Sequence, residues 1–117
     1  MQKGQERRQH RRYDKRLALR GNSTEPGAPE NEAIETINLS LGGALCRIER
    51  HIPPMTRIQL RGSLPVDGEM REISAEAVVV RIEPERAAAG VRDYRVALFF
   101  SQIAEEDRRT LEAWLVS

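Results

Sequence analysis

Ala33-Ile34-Glu35-Thr36-Ile37-Asn38-Leu39-Ser40-Leu41-Gly42-Gly43-Ala44-Leu45-Cys46-Arg47-Ile48 decides the fold of this chain. Residues 33–40 follow a strand pattern, with Ile34, Thr36 and Ile37 among them. Leu41-Gly42-Gly43 breaks that pattern with a tight turn, and 44–48 resume it. The unit is a β-hairpin that carries two polar side chains, Asn38 and Ser40, beside a pair of glycines.

The same alternation extends outward. Upstream, Tyr13–Arg20 places Leu17 and Leu19 on one face and predicts a first strand, and Gly21–Asn31 has the composition of a loop. Downstream, His51–Met55 is a connector, because Pro53 and Pro54 exclude a central strand. Arg57–Arg61 alternates, with Ile58 and Leu60 on one face. Pro65 and the turn pair Asp67-Gly68 mark the next reversal, and Met70–Ile82 predicts a long strand centred on Val78-Val79-Val80. Glu83–Asp93 reads as a loop in which Arg86–Ala89 has the composition of one helical turn, and Tyr94–Phe100 as the last strand. Then the period changes. Ser101 is a candidate cap for a helix with Glu105, Glu106 and Asp107 in its first turns, where the helix dipole favours acids. Ile103, Leu111, Trp114 and Leu115 fall on one face of it. Six short strands and one terminal helix point to a small antiparallel barrel or sandwich.

With 117 residues, one domain is expected. Aromatic residues are only 4% of the chain, so the core must be aliphatic. The lone Cys46 excludes an internal disulfide, fits a reducing, cytoplasmic setting, and reads as a core thiol. No apolar run approaches a membrane span, and no apolar signal core follows the basic start. The two histidines are a thin inventory for a metal site: His51 sits in a connector, and His10 is either a surface residue or a neighbour of a ligand. No nucleophile–base arrangement or phosphate loop is recognisable, so neither an enzyme, a metal nor a cofactor is expected.

The net charge is +1, but residues 1–20 hold about +6 of it and the rest about −5. A basic arm on a mildly acidic body engages an anionic partner locally. Alone, such an arm is usually a solvated tail, and Asn-x-Ser before Gly-Gly is usually a polar turn. Asn38-Leu39-Ser40 also fits a glycosylation acceptor, which the missing secretory signal discounts.

Together, Arg8-Gln9-His10-Arg11-Arg12 followed by Tyr13, and Asn38-Leu39-Ser40-Leu41-Gly42-Gly43, match two motifs: R-x-x-x-R, and [D/N]-x-S-x-x-G after the second strand. In both, and in Val79-Val80-Arg81, Arg95–Phe100 and the final helix, the chain resembles the PilZ domain family over essentially its whole length. A second register, Arg12/Arg16, also fits the first motif, and Ala97 stands where the family often has glycine. The resemblance implies an all-β fold, a six-stranded antiparallel β-barrel plus a C-terminal helix, divided as a flexible arm over 1–12, a barrel over 13–100 and a helix over 101–117. It implies a bacterial receptor for the second messenger cyclic di-GMP, with Arg8, Arg12, Asn38, Ser40, Gly42 and Gly43 at the ligand and Arg7 as a further contact. The arm would close over the ligand and change the face seen by a downstream protein effector, in motility or biofilm control.

The residue types suit that ligand. A planar guanidinium pairs with a phosphate or with the O6/N7 edge of guanine and also stacks on bases. Asn38 offers a donor and an acceptor, Ser40 a hydroxyl, and Gly43 both a positive φ and a close backbone approach. Two other readings stand beside it. A PilZ-like adaptor without nucleotide binding is disfavoured by the intact motif residues. A nucleic-acid-binding barrel needs exposed aromatic platforms, and the few aromatics cluster late in the chain.

Overall fold

The computed structural model describes residues 10–117. Its strands are β1 (Ala18–Ser23), β2 (Glu32–Leu39), β3 (Gly43–Ile48), β4 (Arg57–Val66), β5 (Glu69–Glu83) and β6 (Tyr94–Ile103), followed by the helix α1 (Glu105–Leu115). All pairs are antiparallel, and the order β1-β2-β3-β6-β5-β4 closes through β4 back onto β1. Closure leaves no long open edge.

Period-two alternation explains the interior. Ile34, Thr36, Ala44, Cys46, Ile48, Ile58, Leu60, Val96 and Leu98 point inward and are buried. The Cys46 thiol is fully buried, and desolvation pushes it up to about 12, which keeps it protonated and unreactive. The β4–β5 hairpin turns at Asp67 and Gly68, both at positive φ (52° and 79°), as a two-residue turn requires. Leu111 and Leu115 of α1 are buried, and Leu111 shares an apolar end of the barrel with Leu17, Leu39, Leu60 and Phe100.

Several boundaries differ from the sequence expectation. The first strand begins at Ala18, and Tyr13 makes only an isolated bridge to Leu39. Gly21 and Asn22 are strand rather than loop, because they pair with Leu60 and Gln59 of β4 and tertiary pairing outweighs loop composition. Pro65 lies inside β4, where its only registered partner is Met70 of β5, so the missing N–H breaks no second ladder. Ser101 is no helix cap. It belongs to β6, and its hydroxyl donates to the Glu76 carbonyl oxygen at 3.2 Å. Ala104 takes the cap position in extended conformation without a side-chain cap, and Ile103 ends the strand instead of joining the helix face. Residues 86–89 form no helical turn.

Candidate functional site

The site grows from an irregularity in β2. Its pairing with β3 shifts register between Thr36 and Asn38. Strict alternation from Ile34 and Thr36 would send Asn38 into the core. The bulge at Ile37 resets the phase, so Leu39 is buried and Asn38 stays at the surface. Thr36 exploits the break. Its hydroxyl accepts from the Leu17 amide at 2.8 Å and donates to the Lys15 carbonyl oxygen at 2.7 Å, while its own amide donates to the Leu17 carbonyl oxygen. The segment before β1 is thereby fastened beside the bulge.

That segment carries the last part of the expected arm. Tyr13 and Leu39 exchange backbone hydrogen bonds of 2.8 and 2.9 Å. Arg12, directly before the bridge, donates from Nη1 to Asn38 Oδ1 at 3.1 Å. Arg11 lies over the Tyr13 ring, 5.2 Å from its centroid. The His10 ring rests against Gly42, where a Cβ would stand only 2.8 Å from His10 Cδ2. Of the arm expected to be flexible over 1–12, then, residues 10–12 are seated on the barrel, held by the Tyr13 bridge and the His10 and Arg12 contacts. Arg7 and Arg8 lie outside the described residues. Arg16 makes an exposed ion pair with Glu35, 3.8 Å away.

Lys15 continues the fastening toward the helix. Its ammonium donates to the Trp114 carbonyl oxygen at 2.6 Å and lies 4.7 Å from the Trp114 ring centroid. Helix α1 has no basic residue in its last turn, and Lys15 supplies the cation its C-terminus favours.

The turn after β2 is shaped by Ser40. Its hydroxyl accepts from the amides of Gly42 (3.1 Å) and Gly43 (3.2 Å) and lies 3.3 Å from the Gly43 carbonyl oxygen, to which the Ser40 amide also donates. Ser40 therefore serves the shape of the turn. Gly43 does not have the positive φ expected of it; among the described glycines, Gly27, Gly68 and Gly90 do. Its requirement is close approach, since a Cβ there would run into the Leu98 carbonyl oxygen of β6.

The outer wall beside this turn is continuous in register. Asn38 pairs with Leu45, Leu45 with Ala97, Gly43 with Phe99, and Phe99 with Val78. Arg12, Asn38 and the Ser40–Gly43 turn thus share one end of the β2–β3 wall. The sequence reading missed Thr36, Lys15 and Phe99. It also missed Arg50, which bridges Glu32 (2.7 Å) and Glu25 (2.9 Å). Burial alone would lower that guanidinium, but the bonds and charges of Glu32 and Glu25 outweigh it and raise it above the ordinary arginine value. Among the described residues no group of three or more His, Cys, Asp or Glu is placed to hold a metal ion, and no helix is long and apolar enough to cross a membrane.

A closed six-stranded barrel with one terminal helix, and a polar junction between an N-terminal segment and the β2–β3 turn, define the class. The chain belongs to the PilZ domain family, whose family profile matches residues 6–117. A search of curated proteins gives no match. Among solved structures, the inhibitor of motility MotI/DgrA of Bacillus subtilis is similar, with a TM-score of 0.73 and 25% identity, over 93% of this chain and 49% of that one. This chain thus spans about half the length of MotI/DgrA. The PilZ domain of CeSA from a cellulose synthesizing bacterium has the same fold, with a TM-score of 0.58 and 18% identity over 91% of this chain and 95% of that one.

Proposed function

We propose that this chain is a cyclic di-GMP receptor module that acts on a protein partner, with Arg8, Arg12, Asn38, Ser40, Gly42 and Gly43 forming the ligand site and Arg7 adding a contact. The observation that carries the reading is the 3.1 Å bond between Arg12 and Asn38, one residue from each motif. It brings together two groups that lie 26 positions apart in the chain.

The chemistry follows from what each group has left to give. One bond to Asn38 leaves the other N–H donors of Arg12 for a phosphate or a guanine edge. Among the described residues nothing accepts from the Asn38 amide N–H donors. Ser40 holds the shape of the Gly42–Gly43 turn, and the His10 ring packed on Gly42 brings the N-terminal segment directly against it. Fixing a residue costs about 1–2 kcal/mol, and the Tyr13 bridge already holds the backbone beside Arg12, so a charge-assisted bond of about 1.5–3 kcal/mol there is not spent on ordering it. The Arg16–Glu35 pair favours the Arg8/Arg12 register over Arg12/Arg16.

A protein effector is the natural output. The similar Bacillus protein is an inhibitor of motility, which makes a motility component a reasonable target here. Calorimetric titration with cyclic di-GMP, with GTP and cyclic di-AMP as controls, tests the reading. Saturable binding of cyclic di-GMP at micromolar concentration, with no heat from the controls, is expected. No binding of cyclic di-GMP leaves a barrel that acts only through protein contacts.

A further inference from the structure

Phe99 is the aromatic residue whose position the motif reading leaves unexplained. It is 54% exposed on a strand paired on both sides. Among the described residues the other aromatics are more enclosed: Tyr94 is buried, Phe100, Tyr13 and Trp114 pack against the core, and Tyr13 and Trp114 are also overlain by Arg11 and Lys15. An apolar ring left in water on a regular strand is a cost that hydrophobic packing ordinarily removes.

Its place in the register is informative. The cross-strand partner of Phe99 on β3 is Gly43, the last residue of the polar turn, so no side chain of that partner flanks the ring. On the other side its partner is Val78; Val80, 54% exposed, follows at a bulge in β5, and the exposed Arg81 beyond it pairs with Ala97 and borders the apolar patch. Along the wall, Leu45 and Ala97 fill the rungs between Phe99 and Asn38. Asn38 lies two strands across and two residues along from Phe99, about 12 Å at the ordinary strand spacing and rise. A polar hydrogen-bonding end and an apolar aromatic end are thus set one ligand's width apart on one wall.

We propose that Phe99 is a base-stacking residue of the ligand site, seating one guanine of cyclic di-GMP on the apolar wall of β3, β5 and β6 while Arg12 and Asn38 hold the polar groups. The inference rests on the cyclic di-GMP reading and adds a residue outside the two motifs. Every base has a π-face, so the stack supplies affinity, and the discrimination between bases stays with Arg12 and Asn38.

The test uses the full chain and cyclic di-GMP, with Phe99→Leu and Phe99→Trp as variants. Thermal melts should match wild type within a few degrees, since the ring is largely in water. Phe99→Leu should weaken binding about ten-fold, the scale of one lost stack, and Phe99→Trp should bind within about two-fold of wild type. The deciding readout is the guanine H8 proton of bound ligand. In wild type one H8 resonance moves upfield through the ring current of Phe99, and in Phe99→Leu that displacement disappears. An H8 position unchanged between wild type and Phe99→Leu overturns the proposal whatever the affinity, and assigns the patch to a partner protein; the cyclic di-GMP reading survives that result. If wild type itself does not bind the messenger, both readings fall together.

Discussion

The β3–β6 pair presents two faces built from the same six rungs, and they obey different rules. On the inner face Ala44, Cys46 and Ile48 meet Leu98, Val96 and Tyr94, and none is more than 6% exposed. On the outer face the character changes along the strands. At one end Arg47 pairs with Asp93 at 3.2 Å beside Arg95. At the other, Gly43, Leu45, Ala97 and Phe99 form a partly exposed, largely apolar wall next to Arg12 and Asn38 and bordered by Arg81. The inner face needs only that apolar side chains alternate. The outer face carries particular residues at particular rungs, and the proposed ligand site lies there.

The sharpest way to break this contrast is Gly43→Ala. A Cβ there meets backbone, the Leu98 carbonyl oxygen, which cannot swing aside as a side chain can. We expect a loss of about 3 kcal/mol of stability in denaturant melts, together with loss of ligand binding. A melt like wild type would show that β3 and β6 can part at this rung at little cost.

Arg12→Ala separates the faces differently. Its side chain is exposed, so the melt should stay within about 0.5 kcal/mol of wild type, while cyclic di-GMP affinity in calorimetry should fall about a hundred-fold. Arg16→Ala, which loses only an exposed pair with Glu35, should leave affinity unchanged. Equal losses from both would favour the Arg12/Arg16 register.

Thr36→Val keeps the shape of a buried residue but strands the Leu17 amide and the Lys15 carbonyl oxygen. It should cost about 2 kcal/mol and speed amide exchange at Leu17 more than in β4. Ser40→Ala removes the acceptor for two turn amides that solvent partly reaches. About 1 kcal/mol of stability and a smaller loss of affinity than in Arg12→Ala are expected.

These effects track what was legible in the sequence. The barrel strands were readable because Ile34, Ile58, Leu60 and their neighbours alternate, and period two is a local property. The motif residues were readable as types, through the resemblance. Their mechanics were not. That Asn38 faces outward depends on the bulge at Ile37, and a bulge is a relation between two strands that no single strand reveals. Gly43 suggested a special φ, yet its reason is β6, more than fifty residues away in the chain. Ser101 suggested a cap because serine before acids often is one, but pairing with β5 extends β6 through Ile103. Phe99 passed as one apolar residue of a last strand, because which of two adjacent phenylalanines faces water is settled by the partner strands.

The most direct test of the central claim maps the ligand onto the two ends of the outer wall by amide NMR shifts during titration with cyclic di-GMP. The largest changes should fall on Arg12 and Tyr13, on the stretch from Asn38 to Leu45 and on Ala97 to Phe100. Arg47, Asp93 and Arg95 should stay nearly still. Changes concentrated at the Arg47–Asp93 end, with Asn38, Gly43 and Phe99 unmoved, would contradict it.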